Sequence, residues 1–154
     1  MPTPIPFPVR IAHVSDLHVT DGPRLDDQRE ALARIAEGIE RQRPHLIAVT
    51  GDLFGHTVPH RSTPRERSVL YPWVARLAAV APVCIVYGNH DARPDLDVLE
   101  LLGGPDGGTE GRFPVRVLDG AGIVRWECPE DLDDGAQAPT VTLRLSWFAY
   151  PTTG

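Results

Sequence analysis

The stretch Pro82-Val83-Cys84-Ile85-Val86-Tyr87-Gly88-Asn89-His90-Asp91 decides how the rest of the chain is read. An apolar run of this length predicts a strand covered on both faces. It ends in four residues that make little sense as packing. Gly88 lets the backbone turn, Asn89 offers an amide oxygen, His90 an imidazole and Asp91 a carboxylate, a mixed set from which divalent metals are bound. Open α/β sheets hold their sites at the carboxyl ends of their strands. This corner is therefore the candidate site, and the rest of the chain is its scaffold.

Two earlier stretches repeat the arrangement. Residues 9–15 are largely apolar and β-prone and end at Asp16-Leu17-His18; residues 45–50 are apolar and end at Gly51-Asp52-Leu53-Phe54. Helical patterns separate the three runs. After Asp21-Gly22-Pro23, the residues Leu25, Ala31, Leu32, Ile35, Ala36 and Ile39 recur at helical spacing, and Arg43-Pro44 stops the helix. Thr63-Pro64-Arg65-Glu66 is a capping-box pattern, followed by a stripe of Val69, Leu70, Trp73, Val74 and Leu77. Pro72 is expected to kink or split that helix. Residues 95–102 read as a short helix closed by Gly103-Gly104. The order β-α-β-α-β-α implies an α/β fold with a parallel core sheet and all strand ends at one edge. Asp16, His18, Asp52, Asn89 and His90 all fall at that edge.

The rest of the chain has a different texture. Residues 114–118, 122–128 and 140–148 look like strands, with an acidic loop over 129–139. Strands after a βα series predict a second sheet or a mixed, antiparallel extension. If nothing follows the last strand, its free edge invites a homodimer. Residues 1–8 alternate with prolines and predict an extended arm.

Composition narrows the function classes. The chain has 154 residues, a net charge of −6 and 42% apolar residues, which fits one globular domain and gives no broad basic footprint for nucleic acid or anionic membrane. Cys84 and Cys128 make neither a disulfide framework nor a zinc site. No stretch is long and apolar enough to span a membrane, so the expectation is a cytoplasmic protein with no membrane partner.

Taken together, Asp16-Leu17-His18, Gly51-Asp52 and Gly88-Asn89-His90-Asp91 at consecutive strand ends resemble the calcineurin-like metallophosphoesterases, over roughly residues 9–102. The resemblance implies hydrolysis of a phosphoester at a pair of divalent ions. Manganese is the first expectation, with iron, magnesium and zinc as alternatives. It assigns Asp16 and His18 to one ion, Asn89 to the other and Asp52 to both. His90 then acts as the catalyst beside the ester oxygen, and Asp91 orients its neighbours.

Within the family, Gly51-Asp52-Leu53-Phe54, Val58-Pro59-His60, 63–67 and Tyr87-Gly88-Asn89-His90-Asp91 are most similar to the DNA-repair exonuclease branch that includes the nuclease component of the SbcCD complex. That similarity implies a DNA substrate and an SbcC-like ATPase partner. Arg61, Arg65 and Arg67 could touch a phosphodiester backbone, although arginines at a helix start are more often solvated surface. The rival readings are a phosphodiesterase for small nucleotides or a protein phosphatase of the same family, and a non-catalytic half-domain that works by binding.

One departure is equally specific. Family members complete the site with histidines from later loops. The six here are His13, His18, His45, His56, His60 and His90, and none follows His90. The expectation is that residues 1–154 form the N-terminal part of a single catalytic domain whose C-terminal half is missing, with a complementing partner chain or a degenerate site as the alternatives. His13 is expected in the core or at an interface, His45 at a strand start, and His56 and His60 on a solvated loop. Trp73 and Trp147 are read as core.

Overall fold

The computed structural model describes residues 9–55, 61–104, 112–129 and 140–148. The proline arm at 1–8, His56 and His60, and the acidic loop over 130–139 lie outside the described residues, as does the side chain of Trp147. Four strands, β1 (Ile11–Val14), β2 (Leu46–Thr50), β3 (Val83–Val86) and β4 (Val115–Leu118), form one sheet in the order β1-β2-β3-β4. Every neighbouring pair is parallel. The expected parallel core is therefore present, and residues 115–118 extend it as a fourth parallel strand. Only β5 (Ala121–Pro129) and β6 (Thr140–Phe148) form the expected antiparallel addition, a two-stranded sheet of their own.

The helices share one face. Ile47, Val49, Val83, Ile85 and Val115, all of one parity in the register, belong to the same buried cluster as residues of every helix. Strands laid down in sequential order with crossovers of one hand place all the connecting helices on one side. Leu46, Ala48, Cys84 and Leu118, of the opposite parity, are also buried, so the central strands are covered on both faces. The edge strand is not: Ile11 and His13 are exposed. His13 is thus on the surface of the chain, its Nε2 2.6 Å from Thr50 Oγ1, and not in the core, the first of the two places expected for it.

Helix α1 (Leu25–Gln42) buries Leu25, Leu32, Ala36 and Ile39 along one stripe. Asp26 and Asp27 in its first turn and Arg41 in its last complement the helix dipole. It ends where Arg43 turns left-handed and donates its N–H to the Ile39 carbonyl, the α region being disfavoured for a residue before proline. Helix α2 (Pro64–Ala78) starts with the predicted capping box: Thr63 accepts from the Glu66 N–H and the Glu66 carboxylate accepts from the Thr63 N–H.

Pro72 does not split α2, which runs through it as one element. Pro72 and Ser68 are both exposed, so the carbonyl that loses its partner lies on the water side. The buried Val69, Leu70, Trp73 and Val74 hold the opposite side. The expected third helix is shorter, α3 (Arg93–Leu96), and continues as a 3₁₀ helix over Asp97–Leu102. Trp73 is core as predicted, with its indole N–H on the Leu32 carbonyl at 2.9 Å.

Candidate metal centre at the strand ends

The first two corners lie side by side because the parallel pairing continues past their strands. Asp16 N donates to Gly51 O over 3.2 Å, His18 N to Asp52 O over 2.9 Å and Val19 N to Leu53 O over 2.9 Å. Val19 and Phe54 close this extension, both fully buried. Such burial is worth roughly 1.5–3 kcal/mol per side chain and anchors the far end of each corner.

Within this ladder the backbone is left-handed at three of the candidate site residues. Asp16, His18 and Asp52 have φ values of 56°, 48° and 53°. For a residue with a Cβ, this left-handed conformation costs about 1–2 kcal/mol. Among the described residues, the other non-glycine case is Arg43 at the end of α1. Strain of this kind persists where the surroundings over-determine it, and functional sites are where it collects.

The second and third corners meet through two glycines. A Cβ on Gly51, itself at φ 84°, would lie 2.9 Å from the Gly88 Cα, and a Cβ on Gly88 would collide with the Asp52 amide and carboxylate. Only backbone without side chains allows that approach. It brings the His90 N–H to Asp52 Oδ1 at 3.0 Å.

The result is a cluster in which Asp16, His18 and Asp52 each offer a ligand atom within 4.8 Å of the others. Asp16 Oδ1 is 3.9 Å from His18 Nε2, with the two side chains 66% and 43% exposed, so the cluster opens to solvent. Two carboxylates and an imidazole suit a divalent cation of the first transition row or magnesium. His90 stands beside the cluster, its ring edge-on to that of His18 with centroids 5.2 Å apart. Asn89 is exposed on the turn between Gly88 and His90.

Asp91 lies beneath. It is 2% exposed and accepts the N–H groups of Leu53 at 2.9 Å, Phe54 at 3.2 Å and Gly88 at 3.0 Å. Burial pushes its carboxyl above the ordinary range and the charge of Asp52 adds to this, while the three N–H donors pull the other way. One side chain thus binds the second and third corners together.

Other polar groups fix the first corner, and sequence reasoning did not single them out. Gln28 of α1 donates to His18 O at 3.0 Å and accepts from Thr20 N at 3.2 Å. Glu66, wholly buried, uses the oxygen not engaged in its capping box to accept the Asp21 N–H at 2.7 Å. The capping box was legible; its second task was not, because Asp21 is 45 residues away. Arg65 pairs with Asp21 at 2.6 Å, and Arg67 donates to Ser62 O at 2.8 Å and lies 3.5 Å from buried Asp95. These two arginines fasten loops within the fold; Arg61 is exposed.

Among the described residues, no helix is long and apolar enough to cross a membrane. A family model described as calcineurin-like phosphoesterase matches residues 9–143. The chain is 27% identical over 95 residues to the SbcD component of the nuclease SbcCD from Staphylococcus epidermidis, an alignment covering 58% of this chain and 25% of that protein. It is 30% identical over 100 residues to the DNA double-strand break repair protein Mre11 of Archaeoglobus fulgidus, covering 61% of this chain and 22% of that one. The chain spans about a quarter of the length of the curated relatives it matches.

Proposed function

The chain belongs to the calcineurin-like phosphoesterase family, and from that premise we propose that its strand-end cluster is the metal-binding part of a phosphoester hydrolase centre. The observation that carries the reading is the convergence of Asp16, His18 and Asp52 within 4.8 Å on a left-handed backbone. Asp16 and His18 would hold one divalent ion, Asn89 would help to hold a second, and Asp52 would contribute to both. Such a pair, when bound, supplies Lewis-acid stabilisation of a phosphoryl group and acidifies the attacking water. His90 donates a proton to the leaving oxygen or stabilises its charge; its ring, 5.2 Å from that of His18, supports this role. Asp91 keeps the Asp52 and Gly88 corners in register through its three N–H donors.

Manganese is the proposed ion, a hard-to-borderline cation suited to oxygen and imidazole donors. DNA is the proposed substrate and an SbcC-like ATPase the proposed partner, on the strength of the two nuclease and DNA-repair relatives. Residues 1–154 are taken as the N-terminal part of one catalytic domain. The test is calorimetric titration with manganese of the parent chain and of Asp52→Asn, followed by hydrolysis assays on DNA ends and on a small phosphodiester. Manganese binding that is lost in the variant supports the reading, and equal binding by both refutes it. Hydrolysis of the small ester with DNA ends left intact would move the substrate class to nucleotides.

A further inference from the structure

We infer that Gln28 is a positioning residue for His18, an inference that rests on the metal-binding reading of the strand-end cluster. His18, like Asp16, sits on left-handed backbone with a partly exposed side chain and has to be held in place. Its φ of 48° is left-handed, which is unfavourable for a residue with a Cβ, and its side chain is 43% exposed, so packing alone does not fix it. What fixes the backbone around it is a set of hydrogen bonds on both sides of the peptide unit. Its N–H goes to Asp52 O at 2.9 Å, and its carbonyl accepts from Gln28 Nε2 at 3.0 Å and from Thr20 Oγ1 at 3.0 Å.

Gln28 is the only one of these partners that reaches in by a side chain from a regular helix. Its amide spans the turn, donating to His18 O while accepting from Thr20 N at 3.2 Å, and so fixes the peptide planes on either side of Val19 together. The glutamine itself is anchored, since its own N–H donates to Arg24 O at 3.0 Å at the start of α1. An amide suits this task because it offers one donor and one acceptor on the same end. A carboxylate offers no donor for the carbonyl, and an apolar residue of the same size offers neither. The angle at which the His18 imidazole meets the Asp16 and Asp52 carboxylates is thereby set from α1, outside the cluster. Groups hydrogen-bonded to a ligating side chain typically change metal affinity about 10–100-fold when removed; Gln28 acts one step further back, through the His18 carbonyl, so its removal should act at the lower end of that range.

The test uses Gln28→Leu, which removes both hydrogen bonds at similar volume, and Gln28→Glu, which keeps only the acceptor. Two readouts are taken on each variant: manganese affinity by calorimetry, and the ring signals of His18 in metal-free protein by long-range 1H–15N correlation, with His13 and His45 as internal references. The expected result is an affinity about 10-fold lower or more in Gln28→Leu, a smaller loss in Gln28→Glu, and His18 signals that shift or broaden while those of His13 and His45 stay. Unchanged His18 signals, or moved signals with unchanged affinity, overturn the inference. If the parent binds no manganese, the metal reading fails on its own account, and the His18 signals alone then decide whether Gln28 positions that ring.

Discussion

The N–H of His90 donates to Asp52 Oδ1 across 3.0 Å, so the carboxylate at the end of β2 is oriented by the backbone at the end of β3. Asp52 should therefore tolerate loss of its charge better than loss of its shape. In Asp52→Asn the side-chain oxygen still accepts the His90 N–H, and the melting temperature should fall by only a few degrees. In Asp52→Ala that N–H loses its partner, at a cost of about 1–3 kcal/mol. Thermal unfolding of both variants checks the difference, and equal stabilities would contradict it.

Gly88→Ala should be among the most damaging small substitutions in the protein. Its Cβ would collide with the Asp52 backbone N–H, which cannot rotate away, and with the Asp52 carboxylate, which the His90 N–H holds in place. Overpacking of this kind costs roughly 1–3 kcal/mol. Urea denaturation should show that loss, whereas Gly38→Ala, on a helix with open space around it, should be neutral or stabilising.

Asp91→Ala leaves the buried N–H groups of Leu53 and Phe54 and the part-buried N–H of Gly88 without their acceptor. At about 1–3 kcal/mol for each buried group left unsatisfied, the two buried ones alone should cost about 2 kcal/mol or more. Amide exchange should accelerate first at Leu53, Phe54 and Gly88. A variant that melts with the parent and keeps those amides protected would show that other groups hold the corners together.

Glu40 and Arg76 tie α1 to α2, with Arg76 Nε 2.6 Å from one carboxylate oxygen and Nη2 2.8 Å from the other. The Arg76 hydrogen bond holds the Glu40 carboxyl below its ordinary value of 4.5. A depressed acid contributes stability that is fully present above its unfolded value and is lost as pH falls through the folded one. The parent should therefore lose stability below about pH 4.5 more steeply than Glu40→Gln, measured by urea midpoints from pH 7 to pH 3. Both side chains are 38% exposed, so the difference should shrink in high salt.

The Cys84 thiol, buried in β3, is pushed up to about 12 by desolvation. At pH 8 its thiolate fraction should be on the order of a thousandfold below that of a free cysteine. Peptide-resolved alkylation should find Cys84 inert in the native protein and reactive in urea. Rapid native labelling would mean that β3 opens readily.

The three corners were legible because each ends an apolar run with polar residues that packing does not call for: Asp16 and His18, Asp52, and Asn89 to Asp91. The capping box at Thr63 and Glu66 was legible for a similar reason, being local chemistry within four residues. The left-handed backbone at Asp16, His18 and Asp52 was not, since nothing local distinguishes an aspartate at φ 56° from one in a turn. Nor were Gln28, Glu66 and Arg65 legible as supports of the first corner. Their partners are set by how α1 and α2 dock on the sheet, and 8 to 45 residues separate them in the chain. Pro72 does not split α2, because the hydrogen bond that it removes is lost on the water side.

The sequential order β1-β2-β3-β4 bears on biosynthesis. Each new strand adds to the edge left by the one before, so no later segment must be threaded between two earlier ones. Translation proceeds at about 5–20 residues per second, and N-terminal parts fold first. The Asp16 corner can therefore dock against the Asp52 corner once β2 has left the ribosome, before the Gly88 corner has emerged. The candidate centre grows by accretion along the nascent chain, in the order in which its codons are read.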